Sequence, residues 1–253
     1  TATLFALEVI SVGVIYYSAL VPCIVASLFA LEMANIFGIA PTHFDVVIEP
    51  ISGLMLLKVS ALAIVCSLMS TLFCLSMHKT EHLFANLIKN PYLRIAAGGA
   101  LVVLITAILG TGDYNGAGMN IIKRAIEEGQ AKPDAFFWKL ILTAITIGCG
   151  FKGGEVVPTF FIGATLGCVL GSLLGIPAGF AAAIGLICVF CGAVNCPVAS
   201  IVLSIELFGS TDLVYFALAC GIAYMLSGYF GLYSSQKIMY SKLRAEFINI
   251  HAK

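Results

Sequence analysis

The residues with the most chemical potential in this sequence lie between Gly148 and Pro158, where four glycines fall within seven residues between two apolar segments. Pro158 lies in the first turn of the following helix, where its missing N–H removes no hydrogen bond. The N–H groups of Glu155, Val156 and Val157 are then free at the positive end of the helix dipole. The pattern predicts an anion site made of backbone, with Gly153, Gly154 and Pro158 forming the site loop.

Glu155 is the one carboxylate of this segment. A carboxylate inside an apolar region is a functional-site hypothesis by default. Burial disfavours its charged form whereas helix N–H groups favour it, so we expect a group that gains and loses a proton. Alternatively, Glu155 only stabilises the start of the helix. Lys152 is then either its ion-pair partner or a cation that attracts anions.

A second kind of chemistry is possible at His78, Glu81 and His82, which fit the HxxEH pattern of zinc hydrolases. Their spacing places both imidazoles on one helix face. The sequence offers no obvious third ligand, so we interpret the cluster as a solvated helix end and expect no metal site, no cofactor and no enzyme. Cys188 and Cys191 form a CxxC within an apolar run, which favours packed free thiols over metal or redox chemistry.

The composition shows what must position these groups. The chain is 60% hydrophobic and 10% charged, whereas a soluble domain carries about a quarter charged residues. Long apolar stretches predict an all-α multi-pass membrane protein without strands. They cover 1–38, 51–77, 95–111, 136–150, 156–175, 178–208 and 212–236. A formal charge of zero does not suggest a nucleic-acid partner.

The apolar stretches divide into helices of unequal length, a pattern typical of transporters. Pro22 in the first stretch, and Gly192 with Pro197 in the sixth, predict helices broken inside the membrane. Glycines recurring at every fourth residue from Gly163 to Gly175 allow a close helix neighbour. The expected helices are 2–11, 13–38 with a bend near Pro22, 51–77, 92–111, 118–129, 134–149, 156–174, 179–191, 198–208, 212–230 and 233–249.

Charge distribution predicts the orientation of the chain. Segments 79–94 and 237–253 are rich in Lys and Arg, whereas the loop at 40–50 carries acids only. The positive-inside rule therefore places the two basic segments in the cytoplasm and the loop outside. Thr1 enters an apolar helix directly, without a signal peptide, so we expect a part of a longer chain.

Two short units resemble each other within the chain. Residues 2–10 and 200–208 each combine a small residue, an apolar run and one glutamate, Glu8 or Glu206. They indicate a duplicated architecture, often of inverted topology in transporters, or a chance similarity of apolar stretches. Separately, Asn195-Cys-Pro197 faintly resembles the half-helix motif of aquaporins, although it occurs once and lacks the alanine.

Four segments together resemble the CLC family of chloride channels and proton-coupled antiporters. They are the glycine-rich run 110–116, the segment from Gly153 to Gly167, the run from Asn195 to Glu206, and Gly231-Leu-Tyr233. The resemblance implies a CLC-type fold with inverted repeats and broken, tilted helices meeting at a central anion site. It also implies that the amides of Glu155 and Val156 and the hydroxyl of Tyr233 bind the anion.

Two departures from the family pattern matter for function. Val156 replaces the usual phenylalanine, and Glu155 stands where most members have an apolar or basic residue, so the GGEV run resembles the bacterial fluoride/proton antiporter branch. The internal proton glutamate of chloride/proton antiporters aligns with Val9, beside Glu8. We therefore expect F⁻/H⁺ antiport with Glu155 as the proton-coupling residue. A chloride channel or a chloride/proton antiporter of the same family is the alternative. An intramembrane zinc hydrolase is an alternative of another class.

The resemblance also implies an architecture for the whole assembly. Residues 1–253 form a single transmembrane domain fragment, with 1–111 completing the first repeat and starting the second, and 112–253 bearing the anion site. The family's gating motifs precede residue 1, so the chain needs a missing N-terminal half. Family members are homodimers, and the apolar helices at 51–77 and 198–230 are the implied interface. Glu8 and Glu206 are expected to be structural.

Overall fold

The computed structural model describes residues 1–47, 49–210 and 213–252 and is mostly helical. Eight helices lie where the sequence predicts them, within a few residues at most ends. They are α1 (Ala2–Glu8), α4 (Pro91–Leu109), α5 (Met119–Lys123), α6 (Ala135–Gly148), α7 (Val156–Leu174), α8 (Ala178–Val194), α9 (Pro197–Phe208) and α10 (Leu213–Leu226). A π-helical turn, Arg124–Glu128, extends α5.

Helix lengths match a membrane protein with unequal helices. Within the described residues, four helical segments are long and apolar enough to cross a bilayer: Tyr17–Ile36, Gly53–Leu87, Pro91–Leu109 and Val156–Leu174. Helix α3 (Gly53–Leu87) runs for 35 residues, ten beyond its predicted end, and so extends through the HxxEH cluster. Helices α6, α8, α9 and α10 are shorter. The predicted break after Gly192 is confirmed, since α8 ends at Val194 and α9 begins at Pro197.

The first apolar run is broken at a different place than predicted. Pro22 causes no bend within a helix, because it lies in the first turn of α2 (Leu20–Ile36), where a missing N–H is tolerated. The interruption instead occupies residues 9–19, which contain strand β1 (Ser11–Val12) and a short 3₁₀ turn, Tyr17–Ala19. The predicted helix at 13–38 therefore begins at Leu20.

The predicted helix at 233–249 is wrong, as is the expectation that the chain lacks strands. This segment forms β2 (Lys237–Tyr240) and β3 (Phe247–His251), which pair antiparallel, while β1 pairs parallel with β2. Buried Gln236 fixes the start of β2, since its Nε2 donates to the carbonyls of Val9 and Val194 at 2.8 Å each. The contact between Gln236 and Val9 joins residues more than 200 positions apart in the sequence. The apolar periodicity of a single segment contains no information about such a contact.

Helices α7 and α8 cross with their backbones in direct contact. A Cβ at Gly163 would overlap the carbonyl oxygen of Gly185, and a Cβ at Gly167 would overlap that of Ala181. The close approach predicted from the four-residue glycine spacing is confirmed. Gly175 ends α7 in the left-handed conformation, with φ of 63°. The crossing fixes the position of α7, whose N-terminus faces the candidate site.

Helix α3 packs on α6, α7, α8 and α10. The nine cysteines are free thiols, eight of them buried. Two thiols of α8 lie against neighbouring carbonyls, Cys188 at 3.5 Å from that of Ala63 and Cys191 at 3.5 Å from that of Cys220. The expectation that the CxxC residues pack as small apolar groups is confirmed.

Candidate functional site

The predicted interruption between two apolar helices is present, since α6 ends at Gly148 and α7 begins at Val156. The chain turns at Gly150, whose φ of 109° is readily adopted only by glycine. Glu155 occupies the N-cap position of α7, but its side chain makes no capping hydrogen bond. Among the described residues, no group accepts a hydrogen bond from the N–H of Glu155, Val156 or Val157. These donors are open at the positive end of α7.

The open end of α7 borders a cavity of about 450 Å³, which we call the glutamate cavity. Glu155 and Val156 line it together with Tyr233, so the structure brings together three of the four residues predicted to bind an anion. The full lining is Met77, His78, Glu81, Ile147, Gly153, Gly154, Glu155, Val156, Leu232, Tyr233, Ser234 and Ser235. Glu155 and Tyr233 are half-buried. Within the described residues neither the Glu155 carboxylate nor the Tyr233 hydroxyl has a hydrogen-bond partner, so both are free for a guest.

A second cavity, of about 490 Å³, lies on the other side of Gly153 and Gly154, and we call it the lysine cavity. Val157 and Pro158 line this cavity and are absent from the lining of the glutamate cavity. Val157 is therefore the one predicted anion-binding residue that lines the lysine cavity and not the glutamate cavity. The two glycines form the partition between the cavities.

The lysine cavity takes its name from Lys139 of α6, whose residue surface is only 2% exposed. Its ammonium group donates to the carbonyl of Tyr114 at 3.1 Å and to that of Gly116, and lies 5.1 Å from the centroid of the Phe161 ring. It has no carboxylate partner among the described residues. Carbonyl dipoles and an aromatic face thus hold the cation and tie the 114–116 loop to α6.

The start of α9 contrasts with that of α7. Glu8, at the end of α1, accepts hydrogen bonds from the N–H of Val198 at 3.1 Å and of Ala199 at 2.8 Å. Helix α1, which carries the first of the two similar units, therefore packs on α9, which carries the second. Glu206 lies near the end of α9, and its side chain is 55% exposed.

Several other candidates from the sequence have different positions than a functional role requires. Lys152 is exposed and makes no ion pair with Glu155. Asn195 is buried and donates to the carbonyl of Phe230 and to Gln236, both at 2.9 Å, so it ties helix ends together and does not face a solute. No group of three or more metal-ligating side chains comes together in the part of the chain that the structure describes.

Sequence reasoning missed two features of the site. Lys139 lies in an apolar helix, and a cation at such a position is a sequence signal by itself. His78 was interpreted as part of a solvated helix end, which holds for exposed Glu81 and His82 but not for half-buried His78. Its Nε2 lies 2.9 Å from the carbonyl oxygen of Gly231. Because α3 is longer than the apolar run suggested, its periodicity continues into the site.

The chain resembles known proteins over most of its length. It is 38% identical over 246 residues to a chloride/fluoride channel protein of Pseudomonas syringae pv. tomato, which covers 94% of this chain and 54% of the relative. An uncharacterized protein of Methanocaldococcus jannaschii is 28% identical over 169 residues, covering 65% of this chain and 42% of the relative. The chain therefore spans about half the length of these relatives or less.

The fold matches a solved structure as well. A crystal structure of a CLC-type fluoride/proton antiporter superposes with a TM-score of 0.88 and 30% sequence identity, covering 92% of this chain and 59% of that one. The family model described as voltage gated chloride channel matches residues 1–228. The mostly helical membrane domain has broken helices and an open helix N-terminus at a cavity. Together with these matches, this shows that the chain belongs to the voltage gated chloride channel (CLC) family.

Proposed function

We propose that this chain forms about half of an anion transporter of the CLC family and that the complete protein exports fluoride in exchange for protons. The observation that carries the proposal is the open N-terminus of α7. The N–H groups of Glu155, Val156 and Val157 have no protein acceptor in the described chain, and Glu155 and Val156 line the same cavity as Tyr233. A helix N-terminus with free donors suits a small anion.

The anion would be held by the amides of Glu155 and Val156 and by the hydroxyl of Tyr233. Fluoride is small and strongly hydrated, so its site must replace the lost water with several strong donors. The glutamate cavity offers those donors from two elements, α7 and the segment before β2. The side chain of Val157 faces the other cavity, so we assign it a supporting role only.

Glu155 is proposed as the group that couples protons to the anion. Its carboxylate is half-buried, lines the cavity and has no cation within ion-pair distance among the described residues. A carboxylate beside a bound anion is destabilised by like charge, so anion binding favours its protonated form. One site would thereby link the occupancy of the anion to that of the proton.

Chloride transport, by a channel or a chloride/proton antiporter, is the second candidate. It is favoured by the family description and by the name of the Pseudomonas relative, which includes both ions. Chloride accepts hydrogen bonds from the same donors, so the geometry alone does not choose between the ions. The choice of fluoride rests on Glu155 and on the likeness to the fluoride/proton antiporter.

The test is ion efflux from liposomes that contain the purified full-length protein. Fluoride and chloride are measured with selective electrodes while proton uptake is followed with a dye. We expect fluoride efflux to exceed chloride efflux and to be accompanied by proton uptake. Glu155→Gln should lose proton coupling, whereas Glu246→Gln, which changes an exposed glutamate outside the cavity, should behave as wild type. Equal chloride and fluoride rates would reject the fluoride assignment.

We further propose that two copies associate in the bilayer. Helix α3 keeps large apolar side chains exposed along one side, at Leu57, Ile64, Leu68 and Leu72, and α10 does so at Met225 and Leu226. Lipid or a second subunit could cover this surface. Cysteine cross-linking at Leu68 in membranes distinguishes them, because a covalent dimer forms only when two copies meet there.

A further inference from the structure

The glutamate cavity contains two titratable groups to which the proposed anion contacts give no task. His78 and Glu81 both lie on α3 and line the cavity. They are three residues apart, so they lie on the same face of the helix. Among the described residues, the titratable side chains of this cavity are His78, Glu81, Glu155 and Tyr233.

These groups are arranged from the interior toward the surface. Glu155 and His78 are half-buried, whereas Glu81 is exposed. Glu81 also lies further toward the C-terminal end of α3, which the basic segment 79–94 marks as cytoplasmic. A cavity of about 450 Å³ is large enough for several waters, and polar side chains line it. Proton donors and acceptors therefore follow one another from the open end of α7 to the helix end.

His78 is held in a state suited to passing a proton. Its Nε2 lies 2.9 Å from the carbonyl oxygen of Gly231. A carbonyl oxygen only accepts hydrogen bonds, so Nε2 must carry the proton in this contact. In the neutral ring, Nδ1 is then the unprotonated nitrogen and can accept a proton while the bond to Gly231 persists.

We propose that His78 and Glu81 relay protons between Glu155 and the cytoplasmic end of α3, an inference that rests on the proposed F⁻/H⁺ exchange. The proton leaves the protonated carboxyl group of Glu155, crosses a cavity water and binds Nδ1 of His78, giving an imidazolium. The imidazolium releases the proton from Nδ1 through a second cavity water to the Glu81 carboxylate, which passes it to solvent. One proton moves, Glu155 returns to its charged form, and no redox partner is needed.

The test uses the full-length protein in liposomes and measures proton uptake and fluoride efflux together. His78→Gln keeps an N–H donor for the Gly231 carbonyl but does not titrate. We expect the number of protons moved per fluoride to fall about tenfold, with fluoride efflux nearly unchanged. Glu81→Gln should have a smaller effect, about twofold, because water reaches this exposed position. His82→Gln is the matched control, since His82 lies one residue beyond Glu81 and does not line the cavity.

Each result decides a different point. If wild type exports fluoride without moving protons, the proposed exchange itself fails. If wild type is coupled and His78→Gln keeps the same proton-to-fluoride ratio, the relay is wrong even when both rates fall together. That second pattern would instead assign His78 to holding Gly231, two residues before Tyr233. Fluoride-dependent stabilisation of His78→Gln in detergent shows that this variant is folded and binds its ion.

Discussion

Helices α7 and α9 begin in similar ways, each after a non-helical segment and each with a proline in its first turn. The two helices differ in whether their first N–H groups have a hydrogen-bond acceptor. Those of Val198 and Ala199 are occupied by the carboxylate of Glu8, at 3.1 and 2.8 Å. Those at the start of α7 have no acceptor among the described residues and face the glutamate cavity. The buried carboxylate of Glu8 caps the start of α9, whereas no protein group among the described residues caps the start of α7, where we propose that the transported anion binds.

The difference depends on which glutamate lies at each terminus and where its side chain points. Glu8 comes from another helix and reaches the α9 amides. Glu155 is the N-cap residue of α7, yet its carboxylate does not cap its own helix. A carboxylate capping the α7 amides would compete with an external anion for the same donors. The Glu155 carboxylate therefore leaves the α7 amides open, as its proposed role as the proton site requires.

The largest effect is expected from moving the open terminus. Gly163→Leu places a side chain where a Cβ alone would overlap the carbonyl of Gly185, so α7 must separate from α8. The loss of stability should be about 4 kcal/mol or more, and little folded protein should be recovered. Size-exclusion profiles and thermal unfolding in detergent measure it. Gly221→Leu is the control, because no atom lies within 4 Å of an added Cβ there.

The second effect distinguishes the two glutamates. Glu8→Ala leaves the amides of Val198 and Ala199 without an acceptor; that of Ala199 is buried, so the substitution should cost about 2 kcal/mol. Glu155→Ala breaks no hydrogen bond among the described residues, and should change the thermal unfolding midpoint little. Equal destabilisation by the two substitutions would contradict the distinction between a closed and an open terminus. Glu246→Ala, at an exposed position whose side chain makes no hydrogen bond or ion pair among the described residues, provides the baseline.

A third effect concerns the hydroxyl group of Tyr233, the proposed side-chain donor in the glutamate cavity. Tyr233→Phe removes the hydroxyl group and keeps the ring, so stability should be preserved. Loss of one hydrogen bond to a bound anion should weaken fluoride binding about five- to tenfold. Isothermal titration with fluoride measures this change. Tyr229→Phe removes a hydroxyl that pairs with Ser241 at 2.9 Å and should leave fluoride affinity unchanged. If the Tyr229 variant weakens fluoride binding as much, Tyr233 is not an anion ligand.

The smallest effect is expected at Asp113, which lies at neither terminus. Lys132 donates to its carboxylate at 3.0 Å and holds the pKa of Asp113 below its usual value. A lowered pKa in the folded state gives stability that is present above the pKa of the unfolded chain, about 4, and is lost as pH falls through the folded value. Asp113→Asn should therefore flatten the decline of the unfolding midpoint below about pH 4. Because the pair is exposed, Lys132→Gln should give the same small change.

The sequence predicted those parts of the candidate site that depend on residues close together in the chain. Glycines between Gly148 and Gly154, with Pro158 in the next turn, dictate an interruption and an uncapped helix start whatever surrounds them. The spacing from Gly163 to Gly171 likewise predicted a close helix neighbour. These features depend on the chain within one or two helical turns. Such features are readable from a single sequence.

Other features depend on distant contacts and were not predictable in the same way. Glu8 caps amides that follow it by 190 residues, so the sequence could assign it a structural role but not a partner. The strands at 237–251 form because Gln236 is anchored by Val9 and Val194, whereas the apolar periodicity of this segment favours a helix. His78 faces the site only because α3 continues past its apolar run.

The contact between Gly163 and Gly185 has a consequence for the energy of ion capture. Two backbones that touch without intervening side chains leave no rotamers to rearrange, so the donors of α7 already hold their final directions before an ion arrives. Binding then orders few protein groups, so the entropy cost in the protein is small. Most of the free energy of the contacts to the ion can therefore offset the cost of removing its water. A low entropy cost of ordering the protein matters more for a strongly hydrated ion than for a weakly hydrated one, because the strongly hydrated ion costs more free energy to dehydrate.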